Sequence, residues 1–364
     1  MHLFNWNRKS SILNACVTFV GALALAVLLG GCATVNTAEA PAEEVTQEEA
    51  APQEQEQDSS KDKDAETQAE DEDTSDESET KEEETKKPAK KKEEKAPKRD
   101  YSELEASINE VLAPYEGEVS VVFAPLDDPN GGVRINQDTR MRSASMIKVP
   151  ILATLLEKVE TGEVSLETEH TLTWEEIVGG TGSLQGRGAG AVLTVDKLAW
   201  HMIAESDNTA TNVLIDLLGF DAVNDTAKRL ELTQTALGRK MMDYDAIARG
   251  EDNFTCAKDL ATLFLMIGRE ELVSPEQSQR AVEYLKAQTD ALGIAQGLPE
   301  GTVFAHKTGV LEDVRHDGGI VYPTDGEPYV LVVLCHLPEY TANTVSAEVS
   351  RVVWEAQAAG WDTK

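Results

Sequence analysis

Ser145-Met146-Ile147-Lys148-Val149-Pro150-Ile151-Leu152 opens the stretch on which the reading of this chain turns. Apolar residues continue through Leu155 and Leu156 to a stop near Gly162, which predicts a helix, and Pro150 stands early enough in it to be tolerated. A serine and a lysine three positions apart on a helix share one face. The amine can then take the proton of the hydroxyl, provided burial lowers its pKa, and the helix N-terminus favours the negative charge that develops. The spacing alone is weak. Ser60 with Lys63 and Ser78 with Lys81 repeat it by chance, in polar sequence with no apolar helix behind it.

Two further motifs follow in order. Ser206-Asp207-Asn208 falls between helical stretches at 198–205 and 209–218, so its side chains can project from a short loop. Its bland reading is helix capping, since all three residue types are favoured N-caps. Its chemical reading has Ser206 relaying a proton and Asn208 binding an amide. Lys307-Thr308-Gly309 ends a predicted strand at 303–306. There an amine and a hydroxyl suit a substrate carboxylate, and Gly309 would leave room for substrate backbone. Each tripeptide arises by chance in roughly one chain in twenty of this size, so the pair in this order is far rarer.

Around these motifs, residues 101–364 read as one folded segment, long enough for a substantial core or for two lobes sharing a cleft. A helix is predicted at 102–112 and strands at 119–124 and 133–136, followed by a long helical middle. Strands return at 303–307, 316–322 and 329–337, and a helix at about 343–358 closes the chain. Strands at both ends predict an α+β fold: an antiparallel sheet flanked by terminal helices, an inserted all-helical lobe, and a cleft between them.

The first hundred residues are of another kind. Arg8 and Lys9 precede an apolar run from Val17 to Leu29 that ends in Gly30-Gly31-Cys32. The run is shorter than the roughly 20 residues a membrane span needs, and the small pair before Cys32 suits a peptidase. Residues 1–31 are therefore expected to be an export signal. Residues 33–100 contain no aromatic residue and are too polar to offset the entropy of ordering, so 32–100 reads as a tether. Its random-coil span is roughly 45 Å.

The net charge is −33. The tether holds 24 acids against 11 bases, and residues 101–364 hold 42 against 20. An acidic domain without a basic stripe makes nucleic acid or anionic lipid headgroups poor partners. Cys256 and Cys335 lie 79 positions apart, either as a disulfide allowed by export or as two buried thiols. The six histidines show no metal-ligand spacing, and His306 and His316 sit on predicted strands.

Ser-x-x-Lys, Ser-Asp-Asn and Lys-Thr-Gly, 61 and 101 residues apart, resemble the penicillin-recognising serine enzymes, and the spacing is most similar to class A β-lactamases. Gly180-Thr181-Gly182-Ser183 and Val314-Arg315-His316-Asp317 match further stretches of that family. The resemblance implies acyl transfer from a β-lactam or a D-alanyl-D-alanine amide to Ser145, followed by hydrolysis, with no cofactor or metal, in what is expected to be a monomer. It makes Lys148 the base, Ser206 the proton shuttle, and Asn208, Lys307, Thr308 and Gly309 the substrate contacts. The oxyanion hole would be the backbone N–H groups of Ser145 and Val310. Cys32 resembles the acylated cysteine of bacterial lipoproteins, which implies a lipid anchor on the outer side of the cell membrane.

One segment departs from the family. In Arg239-Lys240-Met241-Met242-Asp243-Tyr244-Asp245, class A β-lactamases carry a Glu two residues after the Arg and an Asn four residues beyond that Glu. Met241 and Asp245 stand there instead. That Glu activates the water that releases the acyl-enzyme, and a methionine cannot accept a proton. Asp243 or Asp245 would have to substitute from a shifted loop. Three functions stay open: a β-lactam hydrolase, a cell-wall D,D-carboxypeptidase or peptidoglycan amide hydrolase, and a penicillin-binding or sensing protein without turnover.

Overall fold

The computed structural model describes residues 99–361. The expected signal peptide, lipidated Cys32 and tether lie outside the described residues, apart from Arg99 and Asp100 at the tether's end. In chain order the elements are α1 (Ser102–Leu112), β1 (Glu118–Pro125), β2 (Val133–Ile135), β3 (Met141–Arg142), α2 (Lys148–Glu160), β4 (Glu169–Thr171), β5 (Val192–Thr194), α3 (Val195–Ala204), α4 (Asn208–Leu218) and α5 (Phe220–Arg229). There follow α6 (Tyr244–Ala248), β6 (Phe254–Thr255), α7 (Ala257–Gly268), α8 (Pro275–Lys286), α9 (Ile294–Gly297), β7 (Val303–Val310), β8 (Arg315–Tyr322), β9 (Tyr329–His336) and α10 (Glu339–Ala359).

The main sheet is antiparallel throughout, in the order β2-β1-β9-β8-β7. Its central strand explains why the sequence 329–336 shows no polar alternation. Tyr329, Leu331, Val333 and Cys335 face α1 and α10, where they meet Ile108, Val345 and Val349. Val330, Val332 and Leu334 face the opposite way, into the core shared with α2, α7 and α8. A strand covered on both faces needs apolar residues at every position. Tyr101 and Trp361 stack edge to face with centroids 4.8 Å apart, which ties the two ends of the domain together.

The inserted lobe, from α2 to α8, is helical apart from the short ladder β4–β5 and the strand β6, which pairs with β3 just ahead of α2. Helix α2 runs through its middle with every residue from Lys148 to Leu156 buried. This helix starts three residues later than the apolar pattern implies, because Ala144–Ile147 form a single 3₁₀ turn. Residues three apart eclipse one another in that geometry, so Ser145 and Lys148 still point to one side. Helix α10 begins earlier than expected, at Glu339, directly after Pro338 with φ −54°, a value pre-set for entry into a helix. Cys256 and Cys335 are free and buried, and burial pushes both thiols up to about 12.

Candidate active site

A cleft of about 420 Å³ separates the β7 edge from the helical lobe. Ser145 lines it together with Ser206, Asn208, Thr308 and Val310, so residues more than 160 positions apart converge as the three motifs require. The turn that presents Ser145 is locally strained: Ala144, just before it, has φ +46°. The turn is also tightly backed. A Cβ on Gly309 would lie 3.0 Å from Ser143 O, 3.1 Å from Met146 Cγ and 3.2 Å from Ala144 Cβ. Gly309 thus lets β7 press against the Ser145 turn, a different role from the space for substrate backbone that its sequence position suggests.

Ser206 sits between the two lysines. Lys148 Nζ lies 3.1 Å and Lys307 Nζ 3.0 Å from Ser206 Oγ. Lys148 also donates to Ser206 O at 2.6 Å and Asn208 Oδ1 at 3.0 Å, and Lys307 to Thr308 O at 2.8 Å. Both side chains are fully buried. Burial, with Lys307 close by, pulls the Lys148 amine well below the ordinary lysine value against the pull of Asp207. Burial brings Lys307 to about 7, opposed by Asp290 and Asp317. Two ammonium groups on one hydroxyl repel each other, so the favoured pattern keeps one proton fewer on the pair. A neutral Lys148 donates to Ser206 O and Asn208 Oδ1 and accepts from the Ser206 hydroxyl, which in turn accepts from the Lys307 ammonium. No hydrogen bond joins Ser145 to Lys148 among the described residues, so the amine must turn from one of these partners to reach the Ser145 hydroxyl.

The Ser206-Asp207-Asn208 turn serves capping and chemistry together. Asp207 caps α4 through Ala210 N at 2.9 Å, and its other oxygen accepts from Leu184 N at 2.8 Å. Asn208 has both amide ends engaged, with Oδ1 on Lys148 and Nδ2 on Gly179 O at 3.1 Å, so here it positions the Lys148 amine. Ser206 has φ +55°, rare for a residue with a side chain. Its backbone is held by Thr181 Oγ1, which donates to Ser206 O at 2.6 Å. The 180–183 stretch, in sequence only a mark of kinship, is therefore a clamp on the Ser206 turn. A Cβ on Gly182, where φ is +99°, would lie 2.4 Å or less from Asp207 atoms.

Met241 lines the cleft and is held by Asn212 on α4: Met241 N donates to Oδ1 at 2.8 Å and Nδ2 donates to Met241 O at 3.1 Å. The structure does not bring Asp243 or Asp245 to the cleft. Asp243 caps α6 by accepting from Ala246 N at 2.9 Å, and Asp245 points to solvent. The carboxylates that do line the cleft are Glu205 and Asp290, which the sequence reading did not single out. Glu205 looks like the last residue of an amphipathic helix and Asp290 like a loop residue, and neither belongs to a motif.

Behind β7, the 314–317 stretch is structural. Arg315 is buried, pairs with Asp290 at 2.8 Å and donates to Asn343 Oδ1 at 2.8 Å. His316 Nε2 donates to Arg142 O at 2.8 Å, and its Nδ1 accepts from Cys335 N at 3.2 Å, a pattern only the neutral ring can make. Burial lowers this ring to about 4. His306 meets Asp317 at 2.9 Å and is likewise buried.

With this geometry in place, comparison with known proteins is direct. The profile of the beta-lactamase enzyme family matches residues 103–357, and the chain belongs to that family. The beta-lactamase of Bacillus licheniformis is 26% identical over 267 residues, covering 71% of this chain and 83% of that protein. Among solved structures, PBP-A is 29% identical with a TM-score of 0.67, covering 73% of this chain and 99% of its own. A beta-lactamase from Sphaerobacter thermophilus is 28% identical with a TM-score of 0.66, covering 72% and 99%. A mutant of PBP-A, equally similar, was solved as an acyl-enzyme complex with penicillin G. The α+β fold expected from the sequence is the β-lactamase/transpeptidase-like fold of these proteins.

Proposed function

We propose that the protein is a serine hydrolase that acts on β-lactam-type amides through an acyl-enzyme, with acylation fast relative to deacylation. The observation that carries this reading is the Ser206 hydroxyl held between two buried amines at 3.1 and 3.0 Å, in the cleft that Ser145 lines. Ser145 Oγ attacks the lactam carbonyl carbon as its proton passes to neutral Lys148. The carbon–nitrogen bond then breaks, and the nitrogen takes a proton from the Ser206 hydroxyl, which is resupplied by the lysines. Lys307, cationic below about pH 7, and Thr308 receive the substrate carboxylate. The N–H groups of Ser145 and Val310 stabilise the oxyanion.

Hydrolysis of the ester needs a base for water, and Met241 supplies none at the position the family uses. The D,D-carboxypeptidase or penicillin-binding reading is favoured by that one residue and by similarity to PBP-A. The two readings share the acylation step and differ in the fate of the ester it leaves on Ser145. The export signal, the lipid on Cys32, the monomeric state and the location on the outer side of the cell membrane expected from the sequence belong to this proposal too. No helix among the described residues is long and apolar enough to cross a membrane.

A chromogenic cephalosporin separates the readings. We expect a burst of about one equivalent per protein followed by slow turnover, and release of D-alanine from a D-Ala-D-Ala peptide would favour the carboxypeptidase. Fast linear turnover without a burst would contradict slow deacylation.

A further inference from the structure

Glu205 stands on the cleft wall beside Ser206, and its carboxylate is anchored from one side only. Oε2 accepts from Ser183 N at 3.1 Å, Ser183 Oγ at 2.6 Å and His201 Nδ1 at 3.0 Å. Oε1 takes part in none of these hydrogen bonds. Burial would raise this carboxyl, but the bonds from Ser183 and His201 outweigh it and hold the group below the usual glutamate value, hence ionised. The anchor is itself rigid: His201 is buried in α3, and Ser183 belongs to the loop clamped on the Ser206 turn.

The next segment reinforces this placement. Thr289 N donates to Ala204 O at 3.1 Å and Gln288 Nε2 to Ile203 O at 2.9 Å, so residues 288–290 are strapped to the end of α3 that carries Glu205. This brings Asp290 to the same end of the cleft, near Thr308, where burial would raise its carboxyl but Arg315 keeps it lowered and charged. The charged side chains lining the cleft are Glu205, Asp290 and Arg239. Arg239 is buried against Asp252 at 2.7 Å, and Asp290 is matched by Arg315, which leaves Glu205 as the carboxylate whose charge is not met by a lysine or arginine.

We infer that Glu205, flanked by Asp290, is a specificity-determining residue that favours acyl donors carrying a positive charge close to the carboxylate seated on Lys307 and Thr308. A cation in the leaving portion of such a donor comes within reach of Glu205 Oε1 while the donor's own carboxylate keeps its amine and hydroxyl partners. A donor with the carboxylate alone meets uncompensated repulsion instead. The acidic surroundings, with 42 acids against 20 bases over residues 101–364, add a long-range pull of the same sign.

This inference rests on the acyl-enzyme reading, and its test separates the two. Cephaloridine and cephalothin share an acyl side chain and a ring carboxylate and differ at the 3-position, a pyridinium in the first and a neutral acetoxy group in the second. Their second-order acylation constants, each divided by the rate of hydroxide hydrolysis, give a preference ratio. We expect a ratio above one in the wild type, reduced about three- to fivefold in Glu205→Gln, the size of one exposed ion pair. High salt should reduce the wild-type ratio as well, which requires no variant to fold, and Asp290→Asn should shift it in the same direction. A ratio that stays the same in Glu205→Gln and at high salt overturns the inference while leaving serine acylation intact. Absence of any adduct with either compound overturns the acylation reading and the inference with it.

Discussion

Two walls of one cleft are built on opposite principles. On one side, Lys148, Ser206 and Lys307 form a buried polar chain in which nearly every donor and acceptor has a partner, with Asn208, Thr181 and Asp207 holding it in place. On the other side, the Met241 loop is fixed just as firmly, by a pair of hydrogen bonds exchanged with Asn212 and by Arg239 on Asp252, yet offers the cleft a thioether. Rigidity is common to both walls, and chemistry is present on one. The lesson is that a family scaffold can keep the hydrogen-bonded network of its three motifs while a methionine, which moves no proton, stands on the facing wall.

The comparison can be broken most forcefully at Lys148. Lys148→Ala is expected to slow acylation by a penicillin roughly 10³- to 10⁴-fold, the upper range for loss of a general base, read by the rate of adduct formation. The opposite wall is tested by gain. Met241→Glu puts a carboxylate on a backbone that Asn212 already holds, and penicilloate release should rise by roughly 10³-fold while the acylation rate stays within a few-fold. An unchanged release rate would show that the loop cannot bring a carboxylate to bear on water.

A third test addresses the scaffold beneath the Ser145 turn. His316 binds no proton in the folded state until about pH 4, whereas the unfolded ring binds one near 6.5. The unfolded state thus holds more protons between those values, so stability is full above pH 6.5 and falls as pH drops towards 4. The loss from this ring amounts to about 3 kcal/mol, or roughly 10²-fold in the folding equilibrium. Urea unfolding of wild type and His316→Asn across pH 4 to 7 should show a shallower slope in the variant.

The smallest effect sharpens the polar wall. Lys307 is cationic below about 7 and neutral above, so the attraction it offers a carboxylate weakens as pH rises through that value. Acylation by an anionic penicillin should fall about tenfold per pH unit on that limb, and Lys307→Arg, which stays charged, should remove the limb.

Much of this was legible in the chain. The apolar stretch at 119–124, the unbroken apolar run at 329–335 and the three motifs marked the sheet, its doubly covered strand and residues that meet at the cleft, because each rests on local pattern. The features that escaped reading depend on tertiary placement. Asp243 and Asp245 come after Met241 in sequence, but a one-turn helix takes the first as its cap and turns the second to solvent. Glu205 carries no signal beyond adjacency to Ser206, and its role comes from where Ser183 and His201 pin it. Gly309 announced close approach, and only the fold reveals that the approaching partner is the Ser145 turn.

The most direct test of the account is intact-protein mass over time after mixing residues 101–364 with benzylpenicillin, in wild type and in Ser145→Ala, with released penicilloate followed in parallel. The account predicts one long-lived adduct on the wild type, mapped to the peptide that holds Ser145, none on the variant, and slow penicilloate release. An adduct of equal size on Ser145→Ala, or none on well-folded wild type, would contradict the assignment of Ser145 as the nucleophile.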